Sequence, residues 1–164
     1  MNREATRALS KINRAFKGAL DQPIISLYHY NGCGFFDGGC LLLADALVEW
    51  SGGDIKLAAL ARTRFGGEVD HWVGELELAG ETVYLDANGV QSESKLLSYW
   101  ASEELMEPVM LLASPQFDEA REIPRDLDFS HRVACEILGA LGPYKAWRTQ
   151  IDRAVMPDAA PSMG

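Results

Sequence analysis

Apolar and polar positions follow a helical period at the start of the chain. Apolar residues recur at four-residue spacing with basic residues between them, which predicts a helix over residues 3–18. We expect Pro23 to end this pattern, because proline breaks the interior of a helix. Residues 24–30 (IISLYHY) are apolar and aromatic, and their pattern leaves helix and strand both open.

A second apolar segment predicts the centre of the fold. Residues 40–50 are apolar at nearly every position, which is typical of a helix buried on most sides. The segment before it, NGCGFFDGGC, holds four glycines, a density that indicates a loop with unusual dihedrals or a close backbone approach. Asp37 lies just before the helix and is predicted to cap it.

The middle of the chain changes to a period of two. Residues 70–78 and 82–87 alternate and flank an Ala-Gly turn at 79–80, which predicts a β-hairpin. With a two-residue turn Leu78 faces Glu81, and this register collects the apolar side chains of both strands on one face.

The remaining elements complete an α+β fold. They are strands over 55–62 and 107–113, a helix from Ser92 or Ser94 to about residue 104, and a helix over 129–141. The alanine content of residues 55–62 leaves a helix open there as well. Strands that follow one another predict a small, mainly antiparallel sheet with helices packed on it. We expect one domain over residues 1–156 and a disordered tail over 157–164.

Charge and cysteine usage narrow the possible partners and the compartment. The 164 residues include 24 acidic and 15 basic ones, a net charge of -9, which argues against nucleic acid and anionic membranes as partners. No apolar run approaches the roughly 20 residues that span a bilayer. The first residues lack the apolar core and the cleavage site of a signal peptide, so we expect no secretory signal. Three cysteines, an odd number, indicate free thiols in the cytoplasm.

Cys40 is the candidate nucleophile. It begins the predicted buried helix, where unpaired amides and the helix dipole favour a thiolate and can stabilise an oxyanion. The two glycines before it leave room for a substrate carbonyl. The alternative is a tight glycine turn into a core helix whose first residue is a cysteine, and a buried apolar role is the default for any one cysteine.

His71 and Asp86 are the candidate base and its orienting carboxylate. The hairpin register places both on one face of the two strands as diagonal neighbours, at roughly 7–8 Å between Cβ atoms. A register shifted by one residue would separate them onto opposite faces. The apolar pattern therefore favours a pairing in which the two side chains meet.

These segments together resemble the papain-like and transglutaminase-like cysteine hydrolase superfamily. The resemblance rests on GGC at a helix start, HWVGELEL, VYLDANG and LLSYW, in that chain order. It implies a papain-like core with Cys40 as nucleophile, His71 as general base and Asp86 as orienting residue, acting on a protein or peptide substrate without a cofactor. The superfamily's glutamine before the cysteine is replaced here by Gly34, with Asn31 as a possible substitute donor.

Other functions stay open beside the hydrolase. The resemblance extends to acyltransferases with the same triad, and a binding or inhibitor module of a phage or mobile element can keep the frame without turnover. The acidic surface is typical of a solvated protein, and it also suits a substrate or partner with a basic face.

Several other residues of chemical interest have simpler interpretations. Cys33 is interpreted as a loop thiol, and His29 as a spare base or a partly buried ring. His131 and Cys135 lie four residues apart on one helix face, a spacing that zinc ligands use, but a structural zinc site needs four ligands, and we predict no metal. The four tryptophans are interpreted as packing residues, with Trp72 as a possible shield for the base.

Overall fold

The computed structural model of the chain describes residues 3–63, 69–78, 80–105, 107–113 and 125–155. These residues form a mixed α+β fold of helices around one antiparallel sheet, as the sequence predicts at that level. The helices are α1 (Arg3–Ala19), α2 (Asp21–Asn31), α3 (Cys40–Trp50), α4 (Glu93–Tyr99), α5 (Leu127–Leu141) and α6 (Tyr144–Val155). The strands are β1 (Lys56–Arg62), β2 (Val69–Leu78), β3 (Glu81–Asp86), β4 (Gly89–Ser92) and β5 (Val109–Ala113).

The sheet has the order β4-β3-β2-β1-β5, with every neighbouring pair antiparallel. In the central hairpin Leu78 pairs with Glu81, and Gly74 pairs with Leu85. The predicted register is therefore confirmed over the paired residues. Ala79 lies outside the described residues, and so does the predicted tail over 157–164.

The two faces of the sheet carry different layers. One face, including Leu76, Leu85 and Val90, joins the main core with α1, α2, α3, α5 and α6. The other face, including Val73 and Tyr84, packs against α4 and the π-helical turn Trp100–Glu104 that follows it. Because side chains alternate along a strand, β2 contributes to both layers and lies at the centre of the fold.

Two local expectations were wrong, and one strand was missed. Pro23 does not end a helix but lies in the first turn of α2, where its missing amide proton costs nothing because first-turn amides have no partner within the helix. Asp37 does not cap α3: the cap residue is Gly39, without a side-chain hydrogen bond, and the Asp37 carboxylate instead accepts from the Gly34 amide. The short strand β4 was not predicted.

No helix among the described residues combines the length and the apolar character that a membrane crossing requires.

Candidate active site

Cys40 is the first residue of α3 and directly follows the glycine pair Gly38–Gly39. A β-carbon at the preceding residue, Gly39, would come within 2.1 Å of Leu27 Cδ2 and 2.7 Å of the Gly34 carbonyl oxygen. The glycine is therefore required by contacts within the protein, whereas the sequence suggested room for a substrate carbonyl. The tight contact fixes the direction in which α3 begins and, with it, the position of the thiol.

Two backbone amides donate to the sulfur of Cys40. One belongs to Leu41, in the first turn of α3, where amides have no helical partner. The other belongs to Trp72 in β2. Amides that converge on one atom favour negative charge there, so the backbone itself supports a thiolate at Cys40.

The position of the Trp72 amide follows from where the pairing of β2 with β3 ends. Leu78 and Glu81 lie at the chain reversal, where a two-residue hairpin requires a hydrogen-bonded pair. Hydrogen-bonded pairs recur at every second residue of an antiparallel strand. Starting from Leu78, the even-numbered residues of β2 therefore direct their amides toward β3. The described pairing with β3 ends at Gly74, so the next such amide, that of Trp72, faces the thiol instead of a strand.

A β-bulge sets the position of His71. Leu60 pairs with His71, but the next residue, Ala61, pairs with Val69, so that Asp70 is the extra residue. Its carboxylate forms an ion pair of 2.7 Å with Arg62 on β1. Bulges bend a strand and change the direction of neighbouring side chains, and this one lies directly beside the imidazole.

His71 and Asp86 meet as the register predicts. His71 Nε2 lies 3.4 Å from Asp86 Oδ2, and each side chain is only 1% exposed. The other carboxylate oxygen, Oδ1, accepts from the Asn88 amide at 2.7 Å and from Gln91 Nε2 at 2.9 Å. One oxygen is thus anchored, and the second is left for the imidazole.

Two aromatic rings hold the imidazole from the side. The ring of Trp100 stacks on His71 at 3.9 Å between centroids, and the ring of Phe36, from the glycine loop, lies at 6.1 Å. Trp72, which the sequence offered as a shield for the base, packs with Cys40 and Ala59. Trp100 begins the π-helical turn, an irregularity often found at functional sites.

The ionisation of Cys40 and His71 is shifted in opposite directions. Burial is the largest influence on Cys40 and raises its pKa, but the hydrogen bond and charge of His71 and the two amides outweigh it. The pKa of Cys40 is therefore lowered. Burial likewise lowers the pKa of His71, but hydrogen bonds and charges from Asp86 and Cys40 outweigh it, so that the pKa of His71 is raised. Both shifts favour a thiolate–imidazolium pair.

The pair is enclosed. Cys40 is 8% exposed and His71 is 1% exposed. Since Nε2 faces Asp86, Nδ1 is the ring nitrogen left for the thiol, and neither nitrogen reaches ideal hydrogen-bond geometry. Such contacts commonly tighten only when a substrate binds.

The other candidates lie apart from this arrangement or take supporting positions. Burial, then the charges of Asp37 and Cys40, raise the pKa of Cys33 in the glycine loop. The side chains of His29 and Asn31 are exposed on α2.

His131 lies 3.6 Å from Cys135 and also contacts Glu49. Among the described residues, no group of three or more possible ligands has the arrangement of a metal site.

Three contributors were not found from the sequence. They are the Trp72 amide, the Gln91 side chain and the Trp100 ring. The hairpin register contains the signal for the first, because the described pairing of β2 with β3 ends at Gly74 and Trp72 comes two residues beyond it. Gln91 lies on the strand that was not predicted, and nothing in its local sequence marks it.

No protein-family model, curated protein or solved structure gives a significant match to this chain.

Proposed function

We propose that the protein is a cysteine hydrolase of the peptidase or amidase type, with Cys40, His71 and Asp86 as its triad on a papain-like core. The observation that carries the proposal is the position of His71 between a thiol of lowered pKa and a buried carboxylate. That order of groups is what nucleophilic catalysis by a thiol requires.

The reaction follows from this order. His71 takes the proton of Cys40, and the thiolate attacks the carbonyl carbon of an amide or ester. Amides at the start of α3 stabilise the negative oxygen of the tetrahedral intermediate. The imidazolium returns its proton to the leaving group as the carbon–nitrogen or carbon–oxygen bond breaks, which leaves an acyl group on Cys40. Water, deprotonated by His71, then attacks this thioester and releases the acid and the thiol.

Asp86 acts through the imidazole. Its anchored carboxylate lies beside Nε2 and so leaves Nδ1 for the sulfur, and its charge stabilises the imidazolium. The net charge of -9 suits a peptide substrate with a basic face, because opposite charge raises the rate of encounter.

A non-catalytic binding module is the second candidate, and the enclosure of the site favours it. A nucleophile that is 8% exposed beside a base that is 1% exposed offers little surface to a substrate. In that role the three residues would form a buried polar cluster that stabilises the fold.

Cysteine alkylation separates these candidates. The full chain is treated with iodoacetamide from pH 5 to 10, and the label on each cysteine is quantified by mass spectrometry. For the hydrolase, Cys40 labels at least about tenfold faster than Cys33 at pH 7, because one pKa is lowered and the other raised. The labelling rate of Cys40 then rises at a lower pH than that of Cys33.

The variant His71→Ala provides the matching test. Without the imidazole, burial dominates at Cys40 and its pKa rises, so labelling at pH 7 falls by about a hundredfold while Cys33 is unchanged. Hydrolysis of a p-nitrophenyl ester should disappear in both His71→Ala and Cys40→Ala. Equal, slow labelling of Cys40 and Cys33 in the folded wild type would refute the hydrolase and leave the binding module.

A further inference from the structure

A cavity lies between α1 and the β3–β4 side of the sheet, and Cys40 is not among its lining residues. Its volume is about 760 Å³, within the range of small-molecule pockets. Helix α1 is held over this region by Asn13, whose side-chain amide donates to the Val90 carbonyl at 3.0 Å and accepts from the Val90 amide at 2.9 Å. The cavity is therefore a defined part of the fold.

The apolar part of the lining is aliphatic. It consists of Leu9 from α1 together with Leu78, Val83 and Val90 from the sheet, and no aromatic ring lines the cavity among the described residues. An aliphatic lining favours a ligand with a flexible hydrocarbon portion, because such a chain follows branched side chains without requiring a flat slot.

The charged part of the lining is mostly basic. Arg14 and Lys17 from α1 and Lys95 from α4 line the cavity, against one carboxylate, Glu81. None of the three cations forms an ion pair with another described residue. They are thus available to an anionic group.

This basic lining contrasts with the rest of the molecule. Helix α1 has five basic residues and one acidic residue, so it carries +4, and the remaining chain carries -13 within the net charge of -9. A cluster of cations around an aliphatic cavity in so acidic a chain points to an anion as the occupant.

The edge of the sheet disfavours an extended peptide as this occupant. The outermost strand beside the cavity is β4, and a peptide can join a sheet only through free main-chain groups. Asn13 already uses both main-chain groups of Val90, in the middle of this four-residue strand. The cavity is therefore suited to a small molecule that is held by the side chains of the lining residues.

We propose that this cavity binds a small aliphatic anion, with a hydrocarbon portion against the leucine and valine side chains and a carboxylate held by the basic lining residues Arg14, Lys17 and Lys95. The proposal does not depend on the triad. A medium-chain carboxylate is the simplest molecule of this class.

Calorimetric titration of the full chain with decanoate, below its micelle concentration, tests the proposal. We expect saturable binding of one molecule per chain. The double variant Lys17→Gln/Lys95→Gln should weaken binding at least about fivefold. The control is Lys11→Gln, which removes one lysine charge from the same helix at a residue that does not line the cavity. It should change the affinity for decanoate less than about twofold.

Two further probes test the two parts of the ligand. Decanol lacks the charge and inorganic phosphate lacks the hydrocarbon, so each should bind at least about fivefold more weakly than decanoate. The proposal is overturned by the absence of saturable decanoate binding at millimolar concentration. It is equally overturned if Lys11→Gln weakens binding as much as the double variant, or if phosphate or decanol binds as tightly as decanoate.

Discussion

The two ends of β2 differ in what surrounds them. The C-terminal part, Gly74–Leu78, pairs with β3 in an uninterrupted register. The N-terminal part, Val69–Val73, pairs with β1 through a bulge, and on its other side the Trp72 amide meets a thiol instead of a strand. The regular end stabilises the hairpin, and the irregular end presents a main-chain amide and the His71 imidazole to Cys40. One part of β2 therefore stabilises the fold, and the other part positions groups of the candidate active site.

The largest expected effect is on the free energy of unfolding, from a substitution in the C-terminal part of β2. A β-carbon at Gly74 would lie 2.7 Å from Ile55 Cγ2, a short branched side chain that is fully buried. Gly74→Ala should therefore lower the free energy of unfolding by about 1–3 kcal/mol, measured by urea denaturation. The control Gly139→Ala adds the same methyl group to α5, where nothing lies within 4 Å, and should stabilise the protein by up to about 1 kcal/mol.

A smaller effect is expected at the irregular end from Asp86→Asn. The amide keeps an oxygen for the hydrogen bonds but removes the charge that raises the pKa of His71, so the thiolate at Cys40 loses part of its support. Labelling of Cys40 by iodoacetamide at pH 7 should fall by about tenfold, with Cys33 unchanged. An unaltered Cys40 rate would mean that Asp86 only packs beside the ring.

The smallest effect on Cys40 labelling is expected from Gln91, whose side chain donates a hydrogen bond to Asp86 rather than to His71 or Cys40. Gln91→Met keeps the volume and removes the donor to Asp86 Oδ1, leaving the Asn88 amide as its other partner. Labelling of Cys40 should fall by about threefold, because the carboxylate is held less well. Gln150→Met makes the same change on the exposed side of α6 and should leave the rate as it is.

The contrast between the regular and the irregular part of β2 also explains how much of the site could be predicted from the sequence. The alternation over residues 70–87 determines the hairpin register, and the register brings His71 and Asp86 together. The bulge at Asp70 and the stacking of Trp100 depend on contacts between distant segments, which no local pattern records. Asp37 was predicted to cap α3 because its type and position fit a cap, but its carboxylate accepts a hydrogen bond from the Gly34 amide within the loop.

Gln91 joins the two parts of the molecule for which functions are proposed. Its side chain lines the aliphatic cavity, and its amide holds the carboxylate behind His71. If a ligand in the cavity binds one position of this side chain better than another, it changes the hold on Asp86 and so the balance between thiol and thiolate at Cys40. Thermodynamic linkage makes the effect reciprocal: the charge state of the cysteine–histidine pair would alter the ligand's affinity by the same factor.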